Sequence, residues 1–109
     1  MALSRLEQLL QFWEEDPNDP FTLYALATEY RSTDPAKALF YYEKLLTDHP
    51  GYVGTYYHAA RLYAELGQPE KAEDTFKKGL EVSQQAGQRN AYRELQAAYR
   101  EFLDEQEDL

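Results

Sequence analysis

Apolar residues recur along the chain at intervals of three and four, the spacing that places side chains on one face of an α-helix. The spacing is clearest at Leu23, Leu26, Ala27 and Tyr30, and again at Tyr56, Ala59, Ala60 and Tyr63. Ala, Leu, Glu, Gln and Lys, which favour helices, are frequent, whereas Val is scarce and Ile is absent. The pattern therefore predicts an all-α protein.

Helix-breaking residues divide the chain at regular places. Asp19-Pro20 and Asp34-Pro35 are typical helix starts, because Asp caps a first turn and Pro fits within it. Stops are expected at His49-Pro50-Gly51, Leu66-Gly67 and Ala86-Gly87. Six helices are predicted, over residues 2–15, 20–32, 35–48, 53–66, 69–86 and 88–106. The short connections between them require successive helices to run antiparallel.

Pairs of predicted helices repeat with a period of 33 or 34 residues. Ala38 and Tyr42, for example, return 34 residues later as Ala72 and Phe76. This pattern resembles the tetratricopeptide repeat family. Its motif is matched in a first unit by Leu23, Leu26, Ala27, Tyr30, Ala38, Tyr42 and Pro50, and in a second by Tyr56, Ala60, Tyr63, Gly67, Ala72 and Phe76. Ala59 and Gln84 depart from it, since Leu and Pro are expected there.

The resemblance implies a right-handed superhelical stack of antiparallel helix pairs. We expect one domain over residues 1–109, with repeats at 20–50 and 53–86. Residues 2–15 would form a flanking helix, residues 88–106 a capping helix, and residues 104–109 a frayed acidic tail. Within each pair, small alanines would let two helices approach closely, and most of the ten tyrosines would fill the space beside them.

The charge of the chain narrows its possible partners. Twenty acidic residues oppose 11 Lys and Arg, so the net charge is −9. Binding to nucleic acid is disfavoured, because phosphate contacts need a cationic surface. The longest apolar run is too short to span a membrane, and residues 1–12 lack the features of a secretion signal. A cytoplasmic protein is therefore expected.

Few residues offer catalytic or metal chemistry. The chain has no cysteine and only two histidines, His49 and His58, whereas a zinc site normally needs three or four ligands. His49 is expected at the C-terminus of a helix, where it meets the helix dipole. The acidic loop that begins at Asp16 lacks the Gly and Glu that a calcium loop requires. No phosphate loop or catalytic triad is recognisable. The sequence thus predicts neither an enzyme nor a cofactor.

The remaining candidate is the face of each first helix that lies opposite its packing residues. In stacked repeats this face lines a concave groove. It carries Tyr24, Thr28 and Arg31 in the first unit, Tyr57, Arg61 and Ala64 in the second with His58 at the edge, and Arg93, Ala97 and Arg100 in the last helix. Four arginines against Glu65, Glu94 and Glu101 at the edges would make the groove mildly positive.

These residues predict capture of a peptide or protein segment, in which Arg holds acidic or C-terminal carboxylate groups and Tyr supplies rigid contact area. Alternatively, Arg61 would pair with Glu65 and the other arginines would be solvated. The family's clamp for the carboxylate tails of chaperones uses Lys and Asn, but Tyr24 and Thr28 stand at its leading positions, so that activity is not expected.

A second alternative is self-association without a separate peptide ligand. A homodimer would then form through apolar residues of the terminal helices, namely Leu6, Leu9, Leu10, Trp13 and Phe102.

Overall fold

The computed structural model describes residues 2–108, and six α-helices without any strand make up the regular structure of that range. The helices are α1 (Arg5–Glu15), α2 (Pro20–Tyr30), α3 (Pro35–Asp48), α4 (Gly54–Glu65), α5 (Pro69–Gln85) and α6 (Arg89–Glu107). The prediction of an all-α chain with six helices is confirmed. The helices form two compact units, the first ending at Tyr52 and the second beginning at Val53.

Side-chain caps define the helix starts of the first unit. The Asp19 carboxylate accepts hydrogen bonds from the backbone N–H of Thr22 (2.9 Å) and from its hydroxyl (2.8 Å). Asp34 likewise accepts from the N–H of Lys37 at 3.2 Å. The prediction that α1 begins at residue 2 was wrong. Ser4 and Glu7 form a reciprocal capping box, which starts the helix at Arg5.

Small and large residues alternate in the first core as expected. Ala27 and Ala38 have no exposed surface, so α2 and α3 pack closely, and the fully buried Tyr42 lies in the same core. The Tyr41 ring stacks on Tyr30 at 5.9 Å and meets the edge of Trp13 at 5.7 Å. All ten tyrosines are buried or half-buried, which confirms that they are mainly packing residues.

His49 joins the two ends of the α2–α3 hairpin. It caps the C-terminus of α3, as expected, and its ring Nε2 lies 2.7 Å from the carbonyl oxygen of Asn18 in the loop before α2. Because a carbonyl only accepts, Nε2 carries the proton in this contact. His49 therefore fastens the loop to a helix 31 residues away.

Glycine ends the first two helices of the second unit. Gly67 and Gly87 have φ angles of 75° and 68°, the left-handed region that glycine adopts most readily. After each glycine, the following N–H bonds back into the helix, from Gln68 to Tyr63 O (2.8 Å) and from Gln88 to Ser83 O (3.0 Å). The N–H of each glycine also bonds to the carbonyl three residues earlier, at 3.2 Å for Gly67 and 3.1 Å for Gly87. The two bonds together form the Schellman motif, which satisfies the last carbonyls of the helix.

Aromatic packing and one helix-interior glycine hold the three helices of the second unit together. The Phe76 ring on α5 lies 5.5 Å from Tyr99 and 5.5 Å from Phe102, both on α6. Gly79 is buried one turn further along α5, and a Cβ there would lie 2.6 Å from the Tyr56 Cβ and 3.2 Å from Leu95 Cδ1. Both α4 and α6 thus approach α5 at the place where it has no side chain.

Four helix ends differ from those predicted by one or two residues, and α4 and α5 each stop one residue earlier, at Glu65 and Gln85. Helix α2 stops at Tyr30 rather than at residue 32, and Arg31 caps it. Helix α6 continues to Glu107, so residues 104–107 of the predicted acidic tail are helical rather than frayed, and their acidic side chains are exposed. Leu109, the last residue of that predicted tail, lies outside the described residues. None of the helices described is long and apolar enough to cross a bilayer.

The excess of acidic residues leads to a prediction about salt. We expect the melting temperature to rise between about 10 mM and 1 M NaCl, because the Debye length falls from about 30 Å to about 3 Å and repulsion among the carboxylates is screened. Thermal denaturation followed by circular dichroism measures the effect. The same series near the pH of zero net charge should show little change. A flat or falling curve at pH 7 would contradict net repulsion.

Candidate functional site

The predicted groove residues of the first unit gather around a buried phenol. The Tyr24 ring is half-buried and lies 6.1 Å from the Tyr42 ring and 5.4 Å from the Tyr52 ring. The Thr28 hydroxyl donates to the Tyr24 carbonyl at 2.9 Å, and the Arg31 side chain lies close enough to Tyr42 to affect the ionisation of its phenol. Thr28 and Arg31 are exposed, yet both are already engaged within their own unit.

Burial sets the ionisation of this tyrosine cluster. Desolvation raises the pKa of Tyr42 above its ordinary value, while the nearby side chains of Thr28 and Arg31 act in the opposite direction. Desolvation also raises the pKa of Tyr24, and the neighbouring phenols of Tyr42 and Tyr52 add to that shift. The two phenols are therefore neutral at physiological pH and act as hydrogen-bonding and packing groups.

In the second unit, Arg61 is held by Tyr57 one turn earlier on α4. Arg61 Nη1 donates to the Tyr57 hydroxyl at 2.6 Å, and the guanidinium carbon lies 5.3 Å from the centre of the Tyr57 ring. The Tyr57 ring in turn meets His58 at 5.3 Å, almost at right angles. The ion pair between Arg61 and Glu65 that the sequence offered as an alternative is not formed within 4 Å in the described chain.

A cleft of about 230 Å³ lies between α4 and α6. The buried rings of Phe76 and Phe102 contribute to its lining. Its other lining residues are Arg61, Ala64, Glu65, Ala98, Glu101, Glu105 and Gln106. Three carboxylates thus stand beside one guanidinium, so the surface next to Arg61 does not have the positive charge expected for the groove as a whole.

A second cleft, of about 370 Å³, lies where α5 ends and α6 begins. It is lined by Ser83, Gln84, Gly87, Gln88, Arg89, Tyr92, Arg93 and Gln96, with no carboxylate among them. Arg93 was a predicted groove residue, whereas Arg89 was not. The lining of this cleft therefore carries two positive charges and no negative one, unlike the lining of the cleft beside Arg61.

The predicted arginines of the second unit do not all line one cleft. Arg61 lines the first cleft and Arg93 the second, while Arg100 is exposed and lines neither of them. Sequence reasoning missed Arg89 because it began each groove face at the leading packing residue, which is Tyr92 in α6. The four-residue spacing of Arg89 and Arg93, one turn of a helix, would have revealed the pair.

The residues proposed for self-association are mostly covered by their own chain. Leu9 and Phe102 are each 5% exposed, so the expectation that they form an open apolar surface was wrong. Leu6, Leu10 and Trp13 are half-buried. Within residues 2–108, no three acidic or histidine side chains gather in a way that would hold a metal ion.

Comparison with known proteins identifies the fold family. The family model for the tetratricopeptide repeat matches residues 29–99. A crystal structure of a tetratricopeptide repeat domain protein from Salinibacter ruber is 41% identical, covers 79% of this chain and 97% of that chain, and superposes with a TM-score of 0.75. A solution structure of a tetratricopeptide repeat domain protein from the same organism is 43% identical, over 80% and 89% of the two chains, with a TM-score of 0.74.

A more distant structure shares the fold alone. The solution structure of a protein from Bordetella parapertussis is 19% identical, over 95% of this chain and 91% of that chain, with a TM-score of 0.80. None of the curated proteins matches the chain. The single domain and the extents predicted for the two repeats stay predictions. The family model matches more than half of the chain, and two solved structures are more than 40% identical to it. The chain therefore belongs to the tetratricopeptide repeat family.

Proposed function

We propose that this chain is an interaction module that binds a peptide or protein segment through the predicted groove residues. Proteins of the family generally serve as protein–protein interaction modules rather than as catalysts. The residues in question are Tyr24, Thr28 and Arg31 in the first unit, and Tyr57, His58, Arg61, Arg93 and Arg100 in the second. A cytoplasmic setting and the absence of an enzymatic activity are part of the same proposal.

The observation that carries the proposal is the contrast between the arginines and the lysines of the second unit. Arg61, Arg93 and Arg100 are exposed, and none has an ion-pair partner within 4 Å in the described chain. On α5, by contrast, Lys77 and Lys78 pair with glutamates one turn away, at 3.4 Å and 3.5 Å. Lys71 of the same helix lies 5.8 Å from the centre of the Tyr63 ring. In so acidic a chain, the unpaired guanidinium groups remain available to a partner.

The Arg61 guanidinium is ordered by Tyr57 in the absence of a partner. Its contact with Tyr57 uses one of the five N–H donors of a guanidinium and restricts its side chain before a partner arrives. Prior ordering reduces the entropy lost on association. The remaining donors can hold a carboxylate bidentately. A partner segment with acidic side chains or a terminal carboxylate would fit Arg61, provided that its charge avoids Glu65, Glu101 and Glu105.

The test is a pull-down with wild type and with the double variant Arg61→Glu/Arg93→Glu. Each lost charge-assisted hydrogen bond is worth about 1.5–3 kcal/mol, so recovery of true partners should fall at least about tenfold. The matched control is Lys77→Glu/Lys78→Glu, which makes the same change of charge on α5. Equal recovery of the same proteins by the groove variant and wild type would disprove the site.

The self-association alternative has a separate measurement. Light scattering at several concentrations should give a constant mass of 12.8 kDa for a monomeric binding module. A mass that doubles as concentration rises would favour the homodimer instead.

A further inference from the structure

We propose that the cleft between the end of α5 and the start of α6 binds a phosphate monoester. Two guanidinium groups, Arg89 and Arg93, lie one helical turn apart in its lining. The same lining includes the Tyr92 side chain and three glutamine side chains, which supply further hydrogen-bond donors. The phosphate group is the same in a small phosphate ester and on a phosphorylated protein side chain, and the experiment below distinguishes these two ligands.

Charge is the first reason to expect an anion. The chain as a whole carries −9, yet the lining of this cleft holds two cations and no carboxylate. Neither arginine has an ion-pair partner within 4 Å among residues 2–108. The cleft is thus a local concentration of unpaired positive charge in an acidic protein.

The position of these arginines is unfavourable without a ligand. Like charges four residues apart on a helix repel each other. Ser4, Asp19 and Asp34 cap the starts of α1, α2 and α3 with their side chains. Helices α4, α5 and α6 all begin without a side-chain cap, and in α6 the first residue is Arg89. A bound dianion would offset this repulsion.

The number of charges favours phosphate over carboxylate. A phosphate monoester carries about −1.5 to −2 at pH 7 and offers three strong acceptor oxygens, which can receive two guanidinium forks. A single carboxylate would leave one guanidinium unmatched. The inference is separate from the proposed function: the two share Arg93, but Arg89 and Tyr92 belong to this cleft alone.

The test uses the full chain labelled with ¹⁵N and titrated at low salt with four probes, each up to about 10 mM. They are O-phosphoserine, a short neutral peptide with one phosphoserine, the same peptide without phosphate, and sodium sulfate. We expect the phosphate ligands to shift the amide resonances of residues 83–96, and the unphosphorylated peptide to shift none. If the phosphopeptide binds more tightly than O-phosphoserine, the natural ligand is a phosphorylated side chain of a protein. If the two bind equally, the natural ligand is a small phosphate ester.

Variants locate the site. Arg89→Gln and Arg93→Gln should each weaken phosphate binding at least about tenfold, since each removes a charge-assisted contact. Lys78→Gln, on α5 but outside both the cleft and the proposed groove, should change it less than about twofold. Absence of shifts with both phosphate ligands, or equal binding by wild type and Arg89→Gln, would overturn the proposal.

Sulfate and Arg61 provide the remaining controls. If sulfate binds as tightly as the phosphate ligands and its affinity is unchanged by Arg89→Gln, the cleft binds an adventitious ion only and the proposal is overturned. Arg61→Glu should leave phosphate binding unchanged, so failure of the peptide-groove proposal is distinguishable from failure of this one.

Discussion

Replacing Phe76 by Ala should lower the free energy of unfolding by about 3–5 kcal/mol, the range measured for large aromatic residues removed from a core. Phe76 is 1% exposed and contacts the rings of both Tyr99 and Phe102. Its removal would leave a cavity and break two aromatic contacts between α5 and α6. The loss is large, because domains of this size are stable by only about 5–15 kcal/mol.

Urea denaturation followed by circular dichroism would measure this change. The matched control is Phe21→Ala, which removes the same atoms from a side chain that is 69% exposed, and which should change the stability by less than about 0.5 kcal/mol. Similar midpoints for Phe76→Ala and wild type would show that the aromatic cluster does not hold α5 and α6 together.

Replacing Gly79 by Val should destabilise the chain by about 3 kcal/mol through crowding. The Cβ of any residue at this position would lie 2.6 Å from the Cβ of Tyr56, which is fixed to the backbone of α4 and cannot swing away. Helices α4 and α5 would have to move apart. Gly79→Ala should also destabilise, but less, because Ala favours a helix over Gly by about 1 kcal/mol and offsets part of the clash.

Gly51→Ala is the control for this experiment. A Cβ at Gly51 meets no atom within 4 Å, and its φ is not positive, so the substitution should be neutral or slightly stabilising. The same urea titration serves both variants. A Gly79→Val protein as stable as wild type would mean that the close approach of Tyr56 and Leu95 to α5 contributes little to stability.

Local chemistry made the helix boundaries predictable. Asp19-Pro20, Asp34-Pro35, Gly67 and Gly87 act within a few residues of themselves, and the structure uses all four as starts or stops. The start of α1 was misplaced although its signal was present, since Ser4 and Glu7 have the spacing of a capping box. The interior Gly79 was passed over because its role depends on Tyr56 and Leu95, which are distant in sequence.

The candidate site was less predictable than the fold. Helical periodicity correctly gave the exposed positions of Arg61, Arg93 and Arg100, because that is a property of one helix. Periodicity alone could not choose the partner of Arg61, for which Tyr57 and Glu65 are equally spaced in opposite directions. Nor could it show that the end of α5 joins the start of α6 in a cleft, which depends on the turn at Gly87.

The glycines at the ends of α4 and α5 also determine which mutations those turns can accept. A Cβ at Gly67 or Gly87 meets no atom within 4 Å, so lack of space does not exclude other residues. The left-handed backbone conformation excludes most of them, because both residues have positive φ angles that L-amino acids other than Asn and Asp rarely adopt. Asn is therefore the substitution that we expect to be accepted most often at Gly67 and Gly87. At Gly79, Asn should be as destabilising as other residues, because any Cβ there would clash with Tyr56.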